Sequence, residues 1–85
     1  MAKYEIARRL SGKKVITNRG DVLGKLIDLI IDEKSGIIEY LFVEIAPDSK
    51  VARKLGFERR NVEIPYKAVV AVSDYVIVDE ASLRE

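Results

Sequence analysis

The stretch that most constrains this chain runs from Leu23 to Ile45. It consists of two apolar, β-branched and aromatic runs around the polar connector Glu33-Lys34-Ser35-Gly36. This is the signature of a β-hairpin with a four-residue loop, in which Gly36 supplies a backbone position at positive φ. Both runs are apolar on both faces. Ile27, Leu29 and Ile31 alternate with Leu26 and Ile30, while Leu41, Val43 and Ile45 alternate with Tyr40 and Phe42. An antiparallel strand with one wet face alternates apolar with polar residues instead. One face therefore fills a core, and part of the other needs a cover. That cover is either the chain's own N-terminal segment and inserted loop, or a second copy or partner.

The rest of the chain reads as short strands around this hairpin. Residues 1–12 form a lead-in segment in which Ile6 and Leu10 have the spacing of one helical turn and Gly12 ends it. Val15–Thr17 is a first strand, followed by a turn at Asn18-Arg19-Gly20-Asp21. Residues 46–61 are too long for a bare loop. Ser49 as N-cap, Val51 and Leu55 four apart, and Gly56 just past the end predict a helix of one to two turns, with Phe57 tucked behind it. Val62 and Ile64 bracket an outward Glu63 in a strand that Pro65 terminates. Tyr66–Ala68 is a brief turn, and Val69–Val72 and Tyr75–Val78 are two further strands. The prediction is all-β: a six-stranded barrel with one short helical insertion between strands 3 and 4. The 85 residues form a single domain with its core over about residues 8–79 and a frayed tail at 80–85.

Composition removes chemistry. There is no Cys and no His, so thiol nucleophiles, imidazole bases and the usual zinc sites are absent. Asp28 and Asp32 share a strand face but lack the further oxygen ligands a metal needs. Gly20, Gly24 and Gly36 are turn and bulge glycines, because no Lys-Ser or Lys-Thr follows them into a helix as a phosphate loop requires. No cofactor, metal or catalytic residue is expected, and the chain reads as a binding protein rather than an enzyme. No apolar run approaches the roughly 20 residues of a membrane span. The N-terminal residues lack a signal peptide's apolar core, so a cytoplasmic location without membrane insertion is expected.

The net charge of +1 hides an uneven layout. Residues 1–19 carry six basic groups and one acidic, residues 20–49 two and seven, and residues 50–60 five and one. Two surfaces follow. Tyr40, Leu41, Phe42, Val43, Tyr75 and Ile77 exceed what one barrel face needs and are the expected dimer contact. Lys50, Arg53, Lys54, Phe57, Arg59 and Arg60 are the expected partner-docking loop. The basic pairs also suit nucleic acid, but stacking aromatics are few and the acidic middle repels phosphate.

The order of elements resembles the PRC-barrel family. The resemblance rests on Leu10-Ser11-Gly12-Lys13-Lys14-Val15 and on the run from Gly20-Asp21-Val22 to Asp28. It continues through Ile31-Asp32-Glu33-Lys34-Ser35-Gly36 and Tyr40-Leu41-Phe42-Val43-Glu44. It closes on Val62-Glu63-Ile64-Pro65-Tyr66 and residues 69–78. Many members of the family carry Trp where Tyr66 stands. The resemblance implies a non-enzymatic adaptor that pairs with itself or with a paralogous PRC-barrel. By likeness to stand-alone archaeal members, it would serve in cell division by binding SepF, the membrane anchor of the FtsZ ring, and be recruited to the division site through that partner. The alternative it implies is an RNA or ribosome-assembly binding module, like the PRC-barrel of a ribosome maturation factor.

Overall fold

A computed structural model describes residues 10–84. Six strands follow in order: β1 (Lys14–Thr17), β2 (Val22–Ile31), β3 (Ile38–Ile45), β4 (Asn61–Pro65), β5 (Val69–Val72) and β6 (Val76–Val78). The helix α1 (Lys50–Lys54) is inserted between β3 and β4. All six strands lie in one sheet, ordered β4-β3-β2-β1-β6-β5. The β1–β6 ladder is parallel, with Val15, Ile16 and Thr17 opposite Val76, Ile77 and Val78, and the other ladders are antiparallel. The all-β architecture and the helical insertion agree with the sequence prediction. The barrel, however, is a curled sheet rather than a hydrogen-bonded ring, since β4 and β5 end the order without pairing.

Chain length enforces the curl. In a flat sheet of six strands the two outer strands would lie about 24 Å apart. Here they are joined by the single 3-10 turn Tyr66–Ala68, and the four steps from Pro65 to Val69 reach at most about 14 Å. The sheet must therefore bend back on itself. Gly24 permits this near the start of β2. A Cβ built there would meet the Glu44 carbonyl oxygen at 2.0 Å, so the β3 backbone occupies the space of the missing side chain.

Inside the curl lie Val15, Leu23, Leu26, Leu29, Leu41, Val43, Ile64, Val76 and Val78, with Val51 and Ala52 of α1 sealing one opening. The phase of β2 departs from simple alternation because its ladder with β3 slips between Leu26 and Asp28. Ile27 is the extra residue of this bulge. As a result Leu26 and Leu29 both face inward, opposite Val43 and Leu41, and Asp28 faces outward opposite Phe42. The turn between β2 and β3 closes as the sequence predicts, with Gly36 at φ 75°. The Asp32 carboxylate accepts from the Ser35 amide and hydroxyl at 3.0 and 2.7 Å.

Two terminal expectations differ in outcome. Leu10 packs against the core and Gly12 adopts φ 87°, as expected, while Ile6 lies outside the described residues. The frayed tail is overturned over residues 80–84. Glu80–Arg84 is a 3-10 helix, Leu83 packs on the core, and Glu80 is buried with 3% exposure. Polar contacts, invisible to a hydrophobic tally, hold this segment. The Glu80 amide donates to Asn18 Oδ1 at 3.1 Å, Asn18 Nδ2 donates to Asp79 at 3.0 Å, and Lys54 Nζ lies 3.0 Å from Glu80 Oε2.

A Gly24→Ala substitution should lower stability by at least about 3 kcal/mol. The thermal midpoint should then fall by more than about 10 °C, read by circular dichroism.

Candidate interaction surfaces

The outward side of β2, β3 and β4 is set by ladder register. Three cross-strand rows face out. Ile30, Tyr40 and Pro65 form an apolar row, Asp28, Phe42 and Glu63 place an aromatic between two carboxylates, and Lys25, Glu44 and Asn61 form a polar row. Lys25 and Glu44 pair at 3.6 Å with both side chains well exposed, a contact worth little in water. Beyond the apolar row, Tyr66 joins Tyr40, Pro65 and Ile38 around an open groove of about 550 Å³. Tyr40 is 39% exposed and Tyr66 36%. Pro65 both stops the strand and turns the chain, so Tyr66 projects beside Tyr40.

This geometry divides the six residues expected at a dimer contact. Leu41 and Val43 are corrected: they are 1% and 0% exposed, their side chains fill the core, and neither can meet a partner. Tyr40 and Phe42, at alternate positions, take the outer face, as period two requires. Tyr75 is exposed in the β5–β6 turn, and Ile77 is half-buried on β6 opposite Ile16. β1 and β2 separate β6 from β3, so Tyr75 and Ile77 do not continue the Tyr40–Phe42 face along the sheet. Sequence reasoning missed Ile30, Pro65 and Tyr66 as companions of Tyr40. Their grouping depends on the β3–β4 register, which no local pattern encodes.

The inserted loop is built around Ser49. Its hydroxyl donates to the Val22 carbonyl at 2.7 Å and accepts from the Ala52 amide at 3.1 Å, so one side chain caps α1 and fastens it to β2. Gly56 follows the helix at φ 79°, and the Phe57 amide donates to the Ala52 carbonyl at 2.9 Å, which holds Phe57 half-buried against the core. Of the six residues expected to dock a partner, Arg53, Phe57, Arg59 and Arg60 line one hollow of about 290 Å³. Lys50 borders a different hollow beside Asp21 and Asp48, and Lys54 is engaged with Glu80.

Metal chemistry finds no foothold among the described residues, where no three Asp or Glu side chains converge. Asp28 accepts from the Leu29 amide at 2.8 Å, and Asp32 sits in the hairpin turn rather than on the same strand face. Among the described residues no helix is long and apolar enough to cross a membrane.

A single curled sheet of six short strands with a one-turn helical insertion is the architecture of a small β-barrel domain. The PRC-barrel domain matches residues 4–84, and the chain belongs to that family. It is 46% identical over 78 residues to the uncharacterized protein MJ1118 of Methanocaldococcus jannaschii, covering 92% of this chain and 84% of that protein. In structure it is similar to a 16S ribosomal RNA processing protein, RimM, from Pseudomonas aeruginosa, with a TM-score of 0.59 and 20% identity. That match covers 85% of this chain and only 41% of the longer protein, and it concerns the fold alone.

Ser49→Ala removes the cap and the tie to Val22 together. It should cost about 2 kcal/mol in denaturant unfolding, more than loss of a cap alone.

Proposed function

We propose that this PRC-barrel is a non-enzymatic protein-interaction module that self-associates through the outer face of β3 and β4 and docks a second protein on its inserted loop. The observation that carries this reading is the strip formed by Ile30, Tyr40, Pro65 and Tyr66. It is an apolar surface left outside a sheet whose core is already filled. Contiguous apolar surface rimmed by charge is the usual mark of a protein contact. Asp28, Glu39 and Glu63 supply such a rim. The family's non-catalytic character and the lack of Cys and His support the absence of enzymatic chemistry. The finer reading is an adaptor in archaeal cell division that pairs with itself or a paralogous PRC-barrel and binds SepF. It draws on the resemblance to stand-alone archaeal members and on the 46% identical relative in an archaeon. The RNA and ribosome-assembly alternative draws on the arginine cluster and on the RimM neighbour, whose likeness extends to the fold only.

Sedimentation velocity tests the self-association. The substitutions should be to lysine, because glutamate at Phe42 would put three carboxylates in one cross-strand row with Asp28 and Glu63. Wild-type protein should sediment as a dimer, while Tyr40→Lys and Phe42→Lys should sediment as folded monomers. A monomeric wild type, or a dimer untouched by both substitutions, overturns the surface.

A further inference from the structure

We infer that the hollow between α1 and the start of β4 is a binding site for an acidic peptide segment carrying an apolar anchor residue. This rests on the adaptor reading and specifies the chemistry of its docking partner. The floor of the hollow is apolar, formed by the buried or half-buried Ile45, Ala46, Ala52 and Phe57. Its rim is lined by the exposed residues Arg53, Arg59 and Arg60, against one acidic lining residue, Glu58. Among the described residues no ion pair engages any of these arginines, whereas the neighbouring cation Lys54 is held by Glu80 at 3.0 Å. The loop thus keeps one basic side chain for its own anchorage and presents three outward.

The remaining polar group in the hollow is not offered to a ligand. Ser49 already donates to Val22 and accepts from Ala52. Recognition therefore comes from the rim and the floor. Guanidinium groups take carboxylates as paired hydrogen-bond acceptors, and Arg is the cation suited to such contacts at an interface. The apolar floor, partly shielded from water, favours one aliphatic or aromatic side chain between those carboxylates. The site is also well fixed. Ser49 holds one end of the loop, and at the other the Ile45 amide donates to the Arg60 carbonyl at 2.7 Å, so little ordering is needed on binding.

The same features disfavour a nucleic-acid strand. Phe57 is the sole aromatic lining the hollow, and it is half-buried against the core rather than laid open for stacking. Glu58 stands among the arginines, with Asp48 close by in the chain, where a phosphate track would need continuous positive charge.

Fluorescence anisotropy with a short labelled peptide, glutamates flanking a central Leu-Phe, tests the site. The peptide should bind wild-type protein, and replacing its Leu-Phe by Ser-Ser should weaken binding at least about tenfold. Arg59→Glu and Arg60→Glu should each weaken it by a similar factor, with unchanged thermal unfolding. Lys34→Glu makes the same charge change at the far end of β3 and should leave binding unaltered. Absence of peptide binding, or equal loss from Lys34→Glu, overturns the proposal. So does a labelled polyuridine strand that binds more tightly than the peptide with a steep salt dependence, which assigns the hollow to nucleic acid. Sedimentation of the same samples keeps the two readings apart, because the dimer contact does not involve these arginines.

Discussion

The curl of the sheet depends on a carbonyl oxygen standing where a side chain would otherwise be. At Gly24 the β3 backbone closes on β2 so tightly that even a methyl group has no room. This contact lies where β2 is flanked by both β1 and β3, in the middle of the six-stranded order. Because the sheet can bend there, nine apolar side chains of its inner face meet one another, and the small helix α1 suffices to close the opening. The Ser49 hydroxyl completes the closure with two hydrogen bonds, converting the interruption between β3 and β4 into a fixed part of the wall.

Most of the fold was legible in the sequence because its signals are local. Ser49, Gly56, Gly36 and Pro65 each specify a cap, a turn or a stop through their own backbone chemistry, and each acts in the structure as that chemistry requires. The side chains whose direction was misjudged are those governed by register. Register irregularities, at Leu23 in the ladder with β1 and at Ile27 in the ladder with β3, reset the inward and outward phase of β2. Leu41 and Val43 face the core while Tyr40 and Phe42 face out, a choice that apolar residues at every position cannot reveal. The tail was misread for another reason. It is held by Asn18, Lys54 and the Leu83 contact, interactions that connect it to residues far back in the chain.

Which of the residues singled out would reach the surface was only partly legible. A basic loop and an aromatic-rich strand both stand out in the sequence, and both occupy the surface. Folding then sorts the members. It takes Lys54 out of the loop's basic cluster by giving it to Glu80 and places Lys50 at another hollow. It also brings Pro65, the end of β4, and Tyr66, in the turn after it, to the side of Tyr40. The electrostatic layout follows the same logic. Arg53, Arg59 and Arg60, engaged by no ion pair among the described residues, lie on one short loop, while the carboxylates Asp28 and Glu63 flank Phe42 on the sheet, so the two surfaces differ in the charge they offer.

The parallel pairing of β1 with β6 joins the first and last strands among the described residues. A nascent chain can form the β2–β3 hairpin early, since its ladder is local, but β1 has only one neighbour until Val76–Val78 has been synthesised. The contacts of Asn18 with Asp79 and Glu80 come later still. Loop closure across nearly the whole chain is a slow, entropy-limited step. The domain therefore completes its fold only once β6 is available, and until then the apolar inner face of its central hairpin lacks its full cover.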